Sequence, residues 1–409
     1  VRRKHILFSL ALLSSIVLLV CIWFIKRTLN ESAYFTPKSL ATNFNGENYV
    51  GSSNCLECHK AIYESHLHTA HFNSSAQSDK DHIKGDFDAG HNTVLINDTK
   101  FEMIAKNGNF YQKSYPRFGD KKIAIAALDI VIGSGVKGQS YLNWQTDSLY
   151  QLQVSYYSPT NSWINSPSYP LYSFKRPVDD SCLKCHVTFA RNHDSLGKGN
   201  RYFKDQMLYG IDCERCHGPS AKHVEYHRKN PERTNPEFMV KFSELSRQQR
   251  LDACVQCHAG LRGDQLKNPF SFFPGAELNA YSRNYGDSRP KTELDVHGNQ
   301  YGLLASSLCF IRSPKMDCLT CHDPHTNQRG QTAYFNAKCL ECHSKEVIHT
   351  AIAIDSTKPN GTLTDCISCH MPLVPSNAMK IQINRDSVEK PVYIRTHLIK
   401  KYTSSHAKQ

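Results

Sequence analysis

The residues able to do chemistry in this chain of 409 residues stand in one pentapeptide, Cys-x-x-Cys-His, which recurs seven times. The copies are Cys55/Cys58/His59, Cys182/Cys185/His186, Cys213/Cys216/His217, Cys254/Cys257/His258, Cys318/Cys321/His322, Cys339/Cys342/His343 and Cys366/Cys369/His370. Two thiols spaced in this way reach the two vinyl groups of one porphyrin and form thioethers. The histidine that follows then lies under the ring, where its imidazole binds iron as the proximal ligand. The pattern predicts seven covalently bound c-type haems.

Simpler uses of Cys-x-x-Cys do not explain the repeat. Zinc takes ligands in fours, and nothing in its chemistry asks for histidine directly after every pair. Histidine is 21 of 409 residues, so seven such coincidences have a chance of roughly 10⁻⁹ if positions are independent. A disulfide framework does not impose the motif and belongs mainly to small secreted chains. The motifs use all but two of the sixteen cysteines. Of those two, Cys21 lies in an apolar run without a lipoprotein site, and Cys309 reads as a buried small residue.

The elements that must position these groups are less regular. A chain of this length ordinarily makes two or three domains, but porphyrins supply apolar surface that side chains would otherwise provide. Hydrophobic residues are 40% of the total and Trp only three. The formal charge of +12 is offset by haem propionates, at about −1 to −2 per haem, and does not point to nucleic acid. Residues 6–25 carry no charge, and Arg2, Arg3 and Lys4 precede them. That run is long enough for a membrane-spanning helix with the N-terminus inside. The expected organisation is an uncleaved anchor over residues 1–27, a polar tether over 28–48 and a haem domain over 49–409. The expected location is the inner (cytoplasmic) membrane, with the haem domain in the periplasm or otherwise outside that membrane.

Residues 92–175 lack cysteine and are β-rich. Asn107-Gly108-Asn109 is a hairpin signal, and Leu149 to Tyr157 alternates as a half-buried strand does. Gly133-Ser-Gly-Val-Lys-Gly138 has the outline of a dinucleotide loop, but no helix pattern follows, so it reads as a turn. Ser246-Arg-Gln-Gln249 reads as a capping box that starts the helix carrying Cys254 to His258, with Gly260 ending it. The expected fold is mainly α and irregular, with short helices and loops around seven haems and a small antiparallel β insertion.

Low-spin electron carriers need a sixth iron ligand, usually a second histidine. Thirteen histidines outside the motifs and beyond the anchor are available, which is ample for seven positions. His66, His68 and His71 crowd the stretch after the first motif, and the residues alone do not choose among them. Cys216-His-Gly-Pro219 with His223, Cys321-His-Asp-Pro-His325 and Cys369-His-Met-Pro372 resemble the multihaem cytochromes of the cytochrome c-554/c-prime group. That group is related in haem packing to hydroxylamine oxidoreductase and the multihaem nitrite reductases. The resemblance implies that His223 and His325 each ligate the iron of a haem attached elsewhere. It further nominates His71, His297, His349 and His397 as distal ligands. The seventh distal ligand stays open among His193, His227, His66, His91 and an unfilled position.

The expected function is electron transfer between a membrane quinol-linked donor and another exported redox protein, with residues 6–25 in the bilayer. A subunit role in a larger membrane redox complex is compatible with it. The alternative is an oxidoreductase of nitrogen or sulfur compounds working at one five-coordinate haem. All seven motifs end in His rather than in the Lys of the nitrite reductases, and no catalytic residue is nominated.

Overall fold

The computed structural model describes residues 13–26, 37–116, 123–171, 175–260, 263–284, 294–343, 365–383 and 388–402. Strand and helix occur in near-equal measure, 28% and 30%. The expectation of a mainly α fold is therefore corrected. The β insertion is not small, and β structure is not confined to it.

Two antiparallel sheets occupy the stretch between the first and second motifs. A four-stranded meander runs Thr93–Ile96, Thr99–Lys106, Asn109–Pro116 and Ala124–Ala127. Its central hairpin pairs Lys106 with Asn109 across the two-residue loop Asn107-Gly108. Both loop residues have positive φ, 52° and 75°, the type I′ geometry whose twist matches that of the strands. A second sheet of seven strands is built on Gly138–Gln145 and recruits Ser75–Gln77 and Arg176–Pro177 from either side of the insertion. The Gly133–Gly138 loop is the turn between Ile130–Ile132 and Gly138–Gln145, which pair antiparallel. Leu149 to Tyr157 is two strands rather than one, Ser148–Gln151 and Val154–Tyr157.

The core of this region is aromatic. Trp163 is buried against Phe87, Tyr141 and Tyr156 with ring centroids 5.1–5.8 Å apart. Its indole N–H donates to the Asp86 carbonyl at 2.7 Å. A Cβ on Gly85 would collide with the indole, so only glycine allows this approach.

β structure continues among the haem motifs. Val187–Asn192 pairs with Tyr202–Tyr209 between the second and third, and Leu373–Ile381 pairs with Lys390–Arg395 after the seventh. The first ribbon packs Val187, Phe189 and Tyr202 with Ile130, Leu142 and Leu149, so the insertion and the motif region share one core. The last ribbon lays Ile381 and Val392 on Ile164 of the large sheet. These strands lack clean alternation in sequence, and one contains Pro375.

Among the described residues no helix is long and apolar enough to cross a membrane. Residues 13–26 are helical and exposed, and at about 1.5 Å each they extend roughly 21 Å, short of a ~30 Å hydrocarbon core. Residues 6–12 of the expected span lie outside the described residues. The expectations of a single-pass anchor, a bilayer partner and an inner-membrane location are withdrawn on this finding.

Candidate haem sites

The pentapeptide suits one helical turn, because residues i, i+3 and i+4 share a face. Short helices at Cys213–His217 and Cys366–His370 consist of nothing but the motif. The fourth motif ends the helix Arg247–His258, which opens with the expected capping box between Ser246 and Gln249. A feature missed in the sequence is an aspartate cap ahead of the cysteines. Asp179, Asp212, Asp317 and Asp365 each accept a backbone N–H at the first turn of a motif. Asp directly before the first Cys in three of the seven motifs was the available signal.

The motif histidines do not stand alone. His59 faces His223 with ring centroids 6.5 Å apart and planes 19° from parallel. His217 faces His325 at 6.2 Å and 17°, and His322 faces His397 at 6.2 Å and 28°. His258 and His71 are 6.0 Å apart with planes at 75°. Two iron–nitrogen bonds of about 2 Å, plus roughly 1 Å from each ring centre to its nitrogen, put bis-imidazole centroids about 6 Å apart. The four pairs match that spacing. His297 comes close enough to the buried His186 to depress its basicity.

Several of these rings are also oriented. The Nδ1–H of His217 donates to Val240 O, that of His223 to Glu237 O and that of His370 to Lys400 O, at 2.8–3.3 Å. His258 donates to Gln300 Oε1 at 3.2 Å, and His325 to Asp323 Oδ1 at 3.0 Å. Fixing Nδ1 as donor leaves Nε2 with the lone pair that binds a metal. Burial pushes the imidazoles of His71, His186 and His397 down to about 4, with neighbouring imidazoles adding to the effect. His217, His223, His297 and His322 are lowered by burial too. The rings are therefore neutral near pH 7, the form that ligates iron.

The thiols belong to the same arrangement. Cys55 meets Cys213, Cys185 meets Cys257, Cys254 meets Cys318 and Cys339 meets Cys366, each pair joining two different motifs. None is in a disulfide. Among the described residues no three His, Cys, Asp or Glu side chains converge as a metal cluster. Paired imidazoles with thiols beside them fit covalent haem. Cys309 is only partly buried and lies near Cys321 and Cys339.

The predicted attachment thiols are not equally enclosed. Cys58 of the first motif and Cys342 of the sixth are exposed, as are Cys182 and Cys369, whereas the other ten are partly buried. Cys58 and Cys342 are each followed by an exposed histidine, His59 and His343. The first and sixth motifs meet their neighbours through their leading cysteines, Cys55 with Cys213 and Cys339 with Cys366. The spacing within the pentapeptide treats both thiols alike and carries no signal of this difference.

The remaining candidates are placed elsewhere. His370 is half-buried, and His349 lies outside the described residues. His66 is bonded to Ile211 O at 3.1 Å, His193 stacks on Phe203 at 4.0 Å, His227 donates to Arg233 O at 3.1 Å and His91 pairs with Asp86 at 2.9 Å.

Residues 161–218 match the family described as cytochrome c554 and c-prime. Residues 314–348 match the doubled CXXCH motif. The resemblance read from the motifs is borne out. Over these stretches the chain is similar to multihaem c-type cytochromes. It is 26% identical over 186 residues to the multiheme cytochrome MtrA of Shewanella baltica, a match covering 41% of this chain and about half, 53%, of that protein. In fold it is similar to the outer cell wall cytochrome OcwA, with a TM-score of 0.53 at 18% identity over 86% of this chain and 79% of that one. An undecaheme cytochrome from the S-layer of Carboxydothermus ferrireducens matches at a TM-score of 0.38 and 16% identity, over 79% of this chain and 51% of that one.

Two buried side chains that sequence reading passed over tie the motifs together. Glu214 accepts hydrogen bonds from Gly51 N (2.7 Å), Val50 N (3.1 Å) and both Ser220 N and Oγ (2.8 and 2.6 Å), and so holds the approach to the first motif against the third. Burial raises its carboxyl above the usual range. Arg215, its neighbour in the third motif, reaches two further motifs.

Proposed function

We propose that this chain is a heptahaem electron carrier that passes electrons between exported redox proteins. Bound c-type haem supplies one-electron exchange at iron, and the polypeptide sets its potential through axial ligands, hydrogen bonds and burial. In this reading the proximal ligands are His59, His186, His217, His258, His322, His343 and His370. The distal partners are His223 for His59, His297 for His186, His325 for His217, His71 for His258 and His397 for His322. His349 serves one of the last two irons. The fourteen motif cysteines form the thioethers, the exposed Cys58 and Cys342 among them.

The observation that carries the reading is the set of four imidazole pairs at 6.0–6.5 Å. An iron held on both sides has no position for a substrate, which favours relay over catalysis. The names of the relatives agree with electron-carrier roles, although the match to MtrA spans only about half of that protein.

Mass spectrometry of the purified chain is expected to give seven haem increments. The oxidised protein should have an EPR spectrum dominated by low-spin haem. The three near-parallel pairs should give rhombic signals, and the near-perpendicular His71–His258 pair a single, more anisotropic one. A stoichiometric high-spin signal that shifts with nitrite, hydroxylamine or sulfite would overturn the carrier reading in favour of an open catalytic haem.

A further inference from the structure

Residues 230–241 follow the helix Ala221–Lys229 and form neither helix nor strand, and 231–238 are exposed. Two carbonyls of this segment, three residues apart, meet imidazoles read as ligands of different irons. Glu237 O accepts from Nδ1 of His223, the distal candidate that faces His59, at 2.8 Å. Val240 O accepts from Nδ1 of His217, the proximal residue of the third motif, at 3.3 Å. Val240 N donates back to His217 O at 3.2 Å.

An exposed, irregular segment needs something to hold it in this register. His227 does so with both ring nitrogens. Its Nδ1–H donates to Arg233 O at 3.1 Å, and its Nε2 accepts from Glu237 N at 3.4 Å. The ring lies 4.6 Å from that of His223. His227, open in the sequence as a seventh distal ligand, thus has neither nitrogen left for iron. A second pin is Phe238. Its φ of 58° is a left-handed conformation uncommon for an aromatic residue, and its ring packs on Tyr226 with centroids 5.5 Å apart. Backbone strain of that kind persists where surrounding contacts over-determine it.

We propose that residues 230–241 are a strap that sets the Nδ1 hydrogen bonds of two iron ligands at once, with His227 as the positioning residue that fixes it. The two are the distal ligand of the first haem and the proximal ligand of the third. An imidazole whose Nδ1–H is held by an acceptor is oriented and made more basic, and a more basic ligand favours oxidised iron. The strap therefore lowers the reduction potentials of these two centres together. His227 acts through Glu237 and so most directly on His223. Val240 keeps its own bond to His217, which makes the effect on the third centre the smaller. This inference rests on the reading of seven attached haems with His223 and His217 on iron.

Mass spectrometry and cryo-electron microscopy of the holoprotein separate the two. A haem count below seven, or a distal ligand other than His223 on the iron of the first haem, defeats the underlying reading. With those ligands in place, Glu237 O and Val240 O are expected within hydrogen-bond reach of Nδ1 of His223 and His217. Either imidazole bonded to another acceptor or to water overturns the strap.

For His227, an EPR-monitored redox titration of the holoprotein is compared with those of His227→Phe and His227→Gln. The Phe variant keeps a ring and loses both bonds. It should move two of the seven reductive steps to higher potential, both with rhombic signals, while the more anisotropic signal of the His71–His258 pair keeps its potential. The Gln variant, whose amide offers one donor and one acceptor, should restore the parent curve. A curve superimposable on the parent's, a shift of one step only, a shift spread over all seven, or a shift that Gln leaves in place overturns the role of His227. If His227→Phe does not load seven haems, Phe238→Gly is titrated instead. It takes the ring off Tyr226 and is expected to move the same two steps, and an unmoved curve overturns the strap.

Discussion

The sheet core around Trp163 and the ground between the fourth and fifth attachment loops are built from opposite materials. Around Trp163, Met103, Val131, Tyr141 and Val154 are fully buried and close on one another. The helix Arg247–His258 buries Leu251 and Val255 on one face, while its reactive face presents Cys254, Cys257 and His258 to other thiols and imidazoles. Leu308, Ile311, Leu319 and Leu340 stand exposed beside the fifth and sixth loops. One region closes its core with its own side chains. The other closes a smaller cluster of Leu251, Val255, Phe272, Leu278 and Phe310 and keeps beside it imidazoles and thiols that suit iron more than they suit one another.

The largest effect that follows is on folding without haem. In protein that has not undergone haem attachment, backbone amides of Thr99–Lys106 and Gly138–Gln145 should remain protected from hydrogen exchange. Those of Thr332–Leu340, whose one buried residue is Asn336, should exchange freely, because a short helix with little apolar burial does not hold alone. Equal loss of protection in both sets would erase the distinction between the regions.

The reciprocal perturbation should be smaller and confined to the sheets. Trp163→Ala removes the centre of the aromatic cluster and the indole bond to Asp86. The expected cost is about 3–5 kcal/mol, read as lost exchange protection in Val154–Tyr157 and Ser162–Asn165. The low-spin haem spectrum should be unchanged. A spectral change would mean that the sheet core governs iron ligation, and the two regions would have to be treated as one.

The difference also explains what was legible in the sequence. The sheets obey side-chain rules, so the Asn107-Gly108 turn and the β character of residues 92–175 were readable from residue types alone. The capping box at Ser246 was equally local. Strands threaded among the motifs, such as Tyr202–Tyr209, were not. Tyr202–Tyr209 buries only Tyr202 and Met207 and pairs with Val187–Asn192 through two register shifts, so its residues do not alternate. The apolar run at 6–25 has the composition of a span, yet its described helical part is too short for one, and composition does not fix helix length. The resemblance, rather than any local pattern, nominated His223, His325, His397 and His71. The structure sets each opposite a motif histidine far off in the chain, as His223 faces His59 and His71 faces His258. Arg215 was invisible because the two variable positions inside Cys-x-x-Cys carry no signal until the loops are seen together.

The smallest effect concerns pH and the seam between the two regions. Asp180 is fully buried there, and its carboxylate accepts from Asn192 Nδ2 at 3.0 Å and Asn268 Nδ2 at 2.8 Å. Burial pushes its carboxyl up to about 6 from 3.8, against the hydrogen bonds that lower it. The folded protein therefore holds this proton where the unfolded chain has lost it. Stability then falls as pH rises from about 4 to about 6 and is flat above, a loss of up to about 3 kcal/mol. Glu214, raised for the same reason, adds a slope of the same sign, whereas Asp295, lowered by its hydrogen bonds to Ser376 and backbone N–H groups, gives the opposite slope at more acid pH. Asp180→Asn should flatten part of the decline between pH 4 and 6, measured as exchange protection of Val187–Asn192. The variant also costs about 1–3 kcal/mol at all pH values, because an amide cannot accept from both asparagines. An undiminished slope in the variant would assign the pH dependence to Glu214, and with it to the contact between the first and third attachment loops.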